Sequence, residues 1–417
     1  MATSAVRGAT ARERAPKRGP VGDAAAGLGG SVLPVVPVRA RGLTIEGADG
    51  RRYLDCVSGA GALVLGHNHP VALQAIREVL DTGAPLQVTG LSTPVEEAFV
   101  TELTRTLPPG LAERARVRFC EPAGKDPVAT AAELVRAATG RTRVSPSTEA
   151  DHGAWSEPAD RGPREALPAG TIVEPIRCRS GVIPAEDAWL RCVRGDTAER
   201  CVPLIADETE TGVGRTGAFW AVEHSGIVPD VLVLSKAIGG GLPLAAVVYR
   251  DDLHTGEGGA FRGNQLALAA GAATLAHVRE HRLAEHAAAL GGRTLARLRG
   301  LAEEFSCVGA VTGRGLMIGV EMTAPDGTAD AGPHAVRLGA GAGAGAAVAV
   351  RRECLRRGLI VDVAGPCGSV VRLLPPLIVT EEQMSAVLER FADAVQAVER
   401  SPVGHAPPHG VRAARQP

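Results

Sequence analysis

The sequence predicts an α/β fold built on an open sheet. Two short apolar runs end at residues that can do chemistry: Val202–Ala206 ends at Asp207, and Val231–Ser235 ends at Lys236. A third run, Val117–Phe119, leads through a glycine turn into a helical pattern. In open α/β sheets, ligands bind just beyond the carboxyl ends of the strands. We therefore expect Asp207 and Lys236 to face one ligand.

The N-terminal part of the chain gives clear local signals. Residues 1–31 are rich in Ala, Gly and Arg without periodicity, which predicts a disordered tail rather than a secretory signal. Gly42–Asp55 has the pattern of a hairpin with an Asp-Gly turn. Apolar residues at helical spacing predict a helix over Val71–Leu80. Thr93-Pro94-Val95-Glu96 has the form of a capping box, and the helix it opens should run to about Leu107.

The turn after Val117–Phe119 has the elements of an anion site. Asp126 and Pro127 suit the N-cap and the first position of the helix that follows. Free backbone N–H groups and the positive end of the helix dipole meet at such a helix start. Gly124 and Lys125 lie in this turn. Lys125 is placed either to contact an anion directly or to point into solvent.

The C-terminal part adds helices and one motif to dismiss. The alanine-rich stretch Leu266–Gly300 predicts helix, and Thr380-Glu381-Glu382-Gln383 predicts the cap of a last helix to about Val398. Gly313–Gly319 superficially resembles a dinucleotide-binding loop, but its third glycine is misplaced and a strand should follow it. The alternating Gly and Ala of Gly339–Gly345 predict a flexible surface insertion.

Composition excludes several classes of protein. A net charge of −1 gives no case for binding nucleic acid or an acidic membrane surface, and no apolar run approaches the length of a membrane span. The eight cysteines show no metal-ligand spacing, so we expect reduced thiols in a cytoplasmic protein. His67 and His69 have no third ligand at a recognisable spacing, so we expect no metal.

Lysine is rare in this chain. Only three of its 45 lysines and arginines are lysines, namely Lys17, Lys125 and Lys236. A lysine kept before a Gly-Gly-Gly turn indicates chemistry that arginine cannot do, since a buried lysine can lose its proton and form a Schiff base. A solvated loop lysine is the alternative. The Schiff-base interpretation points to pyridoxal 5'-phosphate, which needs a lysine for its aldehyde, an acid for its ring nitrogen and an anion site.

The segment that contains both residues resembles the class III aminotransferases, which include ornithine, 4-aminobutyrate and 2,4-diaminobutyrate transaminases. Relatives have Asp-Glu, an apolar residue and Gln-Thr-Gly-x-Gly-Arg-Thr-Gly, and later Ser-Lys-Ala-x-Gly-Gly-Gly. This chain has Asp207-Glu208-Thr209-Glu210-Thr211-Gly212-Val213-Gly214-Arg215-Thr216-Gly217 and Ser235-Lys236-Ala237-Ile238-Gly239-Gly240-Gly241. The resemblance extends over about Val32 to Ala397.

The resemblance implies the architecture of a pyridoxal-phosphate-dependent aminotransferase of fold type I. Such a protein has a large domain with a mostly parallel sheet, and a small α/β domain made from both chain ends. We place the small domain at 32–70 and 306–400, and the large domain at 71–305 with a shortened part near 141–170. A tail follows at 401–417. Because active sites of this family lie between subunits, the resemblance also implies a homodimer.

The resemblance assigns roles to individual residues. Lys236 and Asp207 match the catalytic pair: the lysine carries the cofactor and the acid keeps its ring nitrogen protonated. Arg372 matches the arginine that binds a substrate carboxylate. The implied cofactor contacts are Gly124, Lys125, Asp207, Glu210 and Lys236.

Among the subfamilies, the likeness is closest to diaminobutyrate–2-oxoglutarate transaminases, which implies an amino acid donor with two amino groups and a 2-oxo acid acceptor.

Four positions depart from the family at expected contacts. Asp151 replaces a ring that stacks on the cofactor, Arg179 replaces a glutamate that gates the arginine for substrate carboxylates, Ala260 replaces a phosphate-binding threonine, and Glu210 replaces a glutamine. Trp155 is near enough in sequence to replace the missing ring. These departures leave a second hypothesis: a degenerate relative with lost or altered activity that acts as a binding protein. The intact Asp207 and Lys236 favour an active transaminase.

Overall fold

The computed structural model describes residues 33–120, 126–146, 167–256, 261–323, 342–365 and 368–400. Its strands, in chain order, are β1 (Pro37–Arg41), β2 (Thr44–Gly47), β3 (Arg52–Asp55), β4 (Gln87–Thr89), β5 (Ala115–Phe119), β6 (Val144–Pro146), β7 (Gly170–Val173), β8 (Ile176–Arg177), β9 (Ile183–Pro184), β10 (Leu204–Glu208), β11 (Val231–Ser235), β12 (Ala245–Arg250), β13 (Phe261–Asn264), β14 (Val308–Arg314), β15 (Met317–Met322), β16 (Leu359–Ile360), β17 (Asp362–Ala364) and β18 (Val370–Leu373). Its helices are α1 (Pro70–Asp81), α2 (Pro94–Thr106), α3 (Pro109–Ala112), α4 (Pro127–Thr139), α5 (Asp187–Glu199), α6 (Gln265–Glu280), α7 (Leu283–Glu304), α8 (Ala342–Arg356) and α9 (Glu381–Glu399). Within these ranges, none of the helices combines the length and apolar character that crossing a membrane requires.

A six-stranded sheet in the order β5-β12-β11-β10-β7-β6 positions the site. Strands β6, β7, β10 and β11 run parallel to one another, and β12 runs against both of its neighbours. Parallel strands are buried on both faces and read as continuous apolar runs. In β11, Val231 and Val233 share a core with α4, and Leu232 and Leu234 belong to the larger core on the other face. The sheet is therefore mostly parallel, as predicted.

The predicted helix starts are present. Asp126 caps α4 by accepting a hydrogen bond from the backbone N–H of Val128, the second residue of the helix; Pro127 is its first residue, and Gly140 ends it with a φ of +68°. Thr93 and Thr380 cap α2 and α9 in the same way, each accepting from a backbone N–H in the following turn. The capping residues thus fix where three helices begin, because each satisfies N–H groups that have no partner within the helix.

Two expectations about the C-terminal part need correction. The helical stretch Leu266–Gly300 divides into α6 and α7, because Arg282 adopts a left-handed backbone with a φ of +51°. The flexible insertion predicted over Gly339–Gly345 is wrong in its second half, since α8 already begins at Ala342. Residues 339–341 lie outside the described ranges.

Of two smaller four-stranded sheets, one joins the N-terminal and C-terminal parts of the chain and the other is built from the C-terminal part alone. In the sheet β1-β2-β3-β16, β2 and β3 form the hairpin predicted over Gly42–Asp55, and β3 pairs with β16 in parallel through Leu54 and Leu359. The sheet β14-β15-β18-β17 is antiparallel and carries Arg372 on β18. Gly313–Gly319 spans the turn between β14 and β15, so a strand does follow it.

Candidate active site

Lys236 lies where β11 ends, in a short 3₁₀ turn. Its φ of +56° is a left-handed conformation, which costs a residue with a Cβ about 1–2 kcal/mol. Helix α6 packs directly against this turn: a Cβ on Gly240 would lie 2.5 Å from the carbonyl oxygen of Ala270, and a Cβ on Gly271 would overlap the carbonyl oxygen of Ile238. Glycine at these two positions allows the close approach, which holds the strained backbone of Lys236 in place.

Asp207 lies on β10, the parallel neighbour of β11, and its register partner is Val233. Its Oδ1 accepts a hydrogen bond from the backbone N of Thr209 at 3.0 Å. Burial raises the pKa of the Asp207 carboxyl, and the negative charges of Asp126 and Glu210 raise it further against the hydrogen bonds from Thr209. The carboxyl edge of the sheet therefore presents a half-buried acid close to Glu210.

Glu210 connects the predicted site residues. Its Oε1 accepts a hydrogen bond from Lys236 Nζ, and its Oε2 accepts one from Arg372 Nη1 at 3.1 Å. Burial alone would raise the pKa of Glu210, but the hydrogen bond and charge of Lys236 and the charge of Arg372 bring it below its ordinary value. Glu210 therefore links Lys236 to Arg372 by hydrogen bonds, and its charge raises the pKa of Asp207.

Arg372 is buried on β18, with 9% of its surface exposed. Its Nη2 donates to Asp362 Oδ2 at 2.6 Å, across the β17–β18 pair in which these two residues are register partners. Its Nε is buried without a hydrogen-bond acceptor among the described residues. The guanidinium is thus shared between Glu210 and Asp362, and a ligand carboxylate would compete with both for its N–H groups.

Three further side chains belong to this site although the sequence analysis gave them no role: Glu174, Cys178 and Asp362. Burial raises the pKa of Glu174, and the charge of Asp207 adds to that effect. The Cys178 thiol donates to the carbonyl oxygen of Ile176 at 3.3 Å and lies close enough to Glu210 to lower the pKa of that carboxyl. Burial raises the pKa of the thiol well above its ordinary value. Asp362 contacts Arg372 because β17 pairs with β18. The sequence, in which the two residues are ten positions apart, does not show this pairing.

Arg179 stands where relatives have a glutamate that pairs with the carboxylate-binding arginine. In this structure it is not among the partners of that arginine, Arg372. The positive charge of Arg179 lowers the pKa of Glu174, whereas the carboxylates paired with Arg372 are those of Glu210 and Asp362. Glu210 and Asp362, rather than residue 179, therefore provide the negative charge that balances Arg372.

Several predicted site positions fall outside the described residues, namely Gly124, Lys125, Asp151, Trp155 and Ala260. The helix that follows the glycine turn is described, and its capping residue Asp126 is close enough to Asp207 to raise the pKa of that carboxyl. The N-terminus of α4 therefore lies at the same edge of the sheet as the acid, which is where an anion site was expected.

The two histidines considered as metal ligands have other contacts. His67 Nε2 shares a hydrogen bond with Asp55 Oδ2 at 2.7 Å, and His69 packs on His277 with ring centroids 4.8 Å apart. Across the described ranges, no group of three or more His, Cys, Asp or Glu side chains is arranged to hold a metal ion.

These residues fit pyridoxal 5'-phosphate. Lys236 would provide an amine for the aldehyde, and Asp207 would provide an acid for the ring nitrogen, because the two residues lie at the carboxyl ends of neighbouring parallel strands. The buried Arg372, with an Nε that has no acceptor in the described structure, suits the carboxylate of an amino acid. A site with this fold and these groups defines a class of amino-group-transferring enzymes.

The chain belongs to the family described as aminotransferase class-III, whose sequence profile matches residues 27–156 and 165–395. This membership confirms the family predicted from the sequence, and with it an enzyme that depends on pyridoxal 5'-phosphate.

Two relatives and one solved structure illustrate the similarity. The chain is 40% identical to a diaminobutyrate–2-oxoglutarate aminotransferase of Rhizobium meliloti (strain 1021), over 88% of this chain and 89% of the relative. It is 32% identical to a protein of the same name from Haemophilus influenzae, over 87% and 90%. The solved structure of ornithine aminotransferase PY00104 from Plasmodium yoelii matches with a TM-score of 0.75 and 24% identity, over 91% of this chain and 100% of that chain. That structural likeness shows the fold, which is the predicted fold type I.

Proposed function

We propose that this chain is a transaminase that moves an amino group from a diamino acid, such as 2,4-diaminobutyrate, to 2-oxoglutarate. The observation that supports the proposal is the pairing of both Lys236 and Arg372 with Glu210, at the end of the sheet where β10 carries Asp207 beside β11. The substrates are those named for the relatives at 40% and 32% identity.

Lys236 and Asp207 take the two central roles. Lys236 binds the cofactor aldehyde through Nζ. A free Nζ at this position would take a proton from a substrate carbon and return it. Asp207 would keep the ring nitrogen protonated, and the bound cofactor would supply an electron sink. The packing of α6 against the turn that carries Lys236 would hold Nζ in position for this proton transfer.

The charges around Arg372 suit the two proposed substrates. When the terminal amino group of a diamino acid is transferred, its other end carries a carboxylate and an ammonium group on the same carbon. Arg372 matches the carboxylate, and Asp362, in contact with it at 2.6 Å, matches the ammonium group. 2-Oxoglutarate has a carboxylate but no ammonium group at the end away from its keto group, so it would depend on Arg372 alone of this pair.

We also propose that the protein is a homodimer in the cytoplasm, with the small and large domains divided as predicted from the sequence. The family resemblance supports the dimer, because its active sites lie between subunits. The cysteine spacings, which match no disulfide framework, support a reducing compartment.

The function is tested by the absorbance of the purified full-length protein. We expect a band near the edge of the visible range, a shift of that band on adding 2,4-diaminobutyrate, and its return with formation of glutamate on adding 2-oxoglutarate. Lys236→Ala should remove the band, because no amine remains to bind the aldehyde. Lys17→Ala, a change at one of the other two lysines, is the matched control and should leave all three responses intact.

Two results would contradict the proposal. A band that persists in Lys236→Ala would mean that another group binds the cofactor. A normal band that responds to no amine would favour the second hypothesis, a relative that binds the cofactor without transaminating.

A further inference from the structure

The Glu210 carboxylate accepts hydrogen bonds from Lys236 and Arg372, two cations that the proposed reaction needs for the cofactor and the substrate. Its Oε1 accepts from Lys236 Nζ and its Oε2 accepts from Arg372 Nη1 at 3.1 Å. The lysine is the group that must bind the cofactor, and the arginine is the group that must bind a substrate carboxylate. Both therefore have to give up a contact with the same carboxylate.

The ion pair between Glu210 and Lys236 keeps the Glu210 carboxylate charged. The pKa of Glu210 lies below its ordinary value in spite of burial, because Lys236 donates to it and the positive charges of Lys236 and Arg372 are close. The Lys236 side chain is 34% exposed and that of Glu210 is 21% exposed, so the pair is only partly screened by solvent. While Nζ donates to this carboxylate, the contact fixes its position, and Nζ has to leave the carboxylate before it can reach an aldehyde.

We propose that Glu210 is a latch on Lys236 that controls how fast the cofactor becomes attached. The inference rests on the proposed function, since it concerns the aldehyde that Lys236 binds. Attachment converts the ammonium and the aldehyde into a protonated imine and one water molecule. The nitrogen keeps one of its three protons, and the other two leave with the carbonyl oxygen. Nζ has to give up a proton before its lone pair can form the carbon–nitrogen bond, and it has to turn from the carboxylate towards the aldehyde, so the latch has to loosen first.

Asp362 provides a matched comparison within the same site. It pairs with the same guanidinium as Glu210 does, at 2.6 Å, but its contact in the structure is with Arg372 and not with Lys236. Replacing either carboxylate by an amide removes one negative charge near an anionic cofactor. Only replacement of Glu210 also releases Lys236, so the difference between the two variants isolates the latch.

The experiment measures the rate of cofactor attachment to the full-length chain after its cofactor has been removed. Pyridoxal 5'-phosphate is added, the absorbance band is followed with time, and borohydride reduction followed by peptide mass analysis identifies Lys236 as the attachment point. We expect Glu210→Gln to load roughly fivefold faster than the wild type, the factor that corresponds to loss of a partly exposed ion pair of about 1 kcal/mol. Asp362→Asn should load at close to the wild-type rate. Glu210→Asp, which keeps a carboxylate, should be slower than Glu210→Gln.

The outcomes separate this inference from the proposed function. Equal rates for the wild type and Glu210→Gln, in variants with the circular dichroism of the wild type, would overturn the latch while leaving the transaminase intact. Equal acceleration by Asp362→Asn would also overturn it, since the effect would then be one of overall charge. Faster loading of Glu210→Gln, together with a wild type that loads the cofactor but transaminates no amine, would support the latch and contradict the proposed function. Failure of the wild type to attach the cofactor at Lys236 would overturn both.

Discussion

Asp207 is half-buried at the edge of the sheet, and burial raises the pKa of its carboxyl. An acid in this environment is ionised most easily when a cation lies beside it, as a protonated ring nitrogen would. Asp207→Asn keeps the shape and removes the charge, so we expect kcat to fall by about 100-fold or more, as when one preorganised electrostatic group is removed. Glutamate formation from 2-oxoglutarate measures this effect.

The control for Asp207→Asn is Asp252→Asn, a change at a largely exposed carboxylate that pairs with Arg250 and Arg114. Its kcat should match that of the wild type. A kcat for Asp207→Asn within a few-fold of the wild-type value would exclude Asp207 as the partner of the ring nitrogen.

The neighbouring residue, Glu208, predicts a dependence of stability on pH. Burial raises its pKa from 4.5 to about 7, and its carboxylate contacts the Thr211 hydroxyl and the backbone N of Val222. Between pH 4.5 and 7 the folded protein keeps a proton that the unfolded chain releases. Stability due to this group is therefore complete below pH 4.5 and is lost as the pH rises towards 7.

Glu208→Gln has no such proton, so its free energy of unfolding does not depend on this titration. Between pH 4.5 and 7 the wild type should therefore lose about 3 kcal/mol of stability relative to Glu208→Gln. Above pH 7 the difference should remain constant. Urea denaturation of both proteins across this range measures it. Unfolding free energies that run parallel from pH 4.5 to 7 would show that Glu208 does not hold a proton in the folded state.

At the residue scale, sequence could predict the groups with unusual chemistry but not their partners. Lys236 stood out because lysine is rare in this chain, and Asp207 because it ends an apolar run. That Glu210 pairs with both Lys236 and Arg372, and that Asp362 pairs with Arg372, depends on contacts between different sheets. Periodicity describes one strand or helix at a time, so it gives no information on such contacts.

At the scale of elements, the contact between α6 and the Lys236 turn is the most sensitive to packing. A Cβ on Gly271 would lie far inside contact distance of the carbonyl oxygen of Ile238 and 2.8 Å from the ring of Phe99. We expect Gly271→Ala to displace the turn, to cost about 1–3 kcal/mol of stability as in other overpacked cores, and to slow cofactor attachment at Lys236. Thermal unfolding and the absorbance band measure the two effects.

Gly292→Ala is the control for this prediction. Gly292 lies in α7 with open space around the position of a Cβ, so alanine there should raise stability by about 0.5–1 kcal/mol through its better helix propensity. If both alanine variants were equally stable and loaded the cofactor equally well, the close approach of α6 to the turn would have no role in holding Lys236.

Elements with an explicit capping signal were predictable, and those whose ends depend on tertiary contacts were not. Asp126, Thr93 and Thr380 each satisfy backbone N–H groups within a few residues, so their effect is visible in the sequence. The break at Arg282 has no glycine or proline to mark it. Its left-handed backbone is favoured only once α6 and α7 are packed in their places, which no local pattern shows.

At the scale of the whole molecule, the buried side chain of Arg215 connects three separate segments of the chain. Arg215 is fully buried and donates to the carbonyl oxygens of Pro375 at 2.7 Å and Gly61 at 3.4 Å. Burial, with the nearby charge of Arg372, lowers its pKa to about 10. The loop after β10, the segment after β18 and an N-terminal loop therefore meet at one guanidinium. The domain limits themselves stay a prediction.

A groove beside the Lys236 turn is where we expect a second subunit to pack. It has a volume of about 140 Å³ and is lined mainly by apolar side chains, including Leu63, Leu73, Ile76 and Leu242. The Thr274 hydroxyl also lines it and has no hydrogen-bond partner among the described residues. A partner subunit would cover this apolar surface.

Sedimentation velocity tests this arrangement. The wild type should sediment with twice the mass of the chain, whereas Ile76→Glu should shift it towards the monomer, because a carboxylate in the groove could not be desolvated without cost. Since the groove borders Gly240 and Gly241, just beyond Lys236, the monomeric variant should also lose its cofactor more readily. Gln74→Glu places the same charge on the exposed side of α1 and should stay dimeric. A wild type that is monomeric at every concentration would mean that the site is complete within one chain, and a dimer that survives Ile76→Glu would move the interface to another surface.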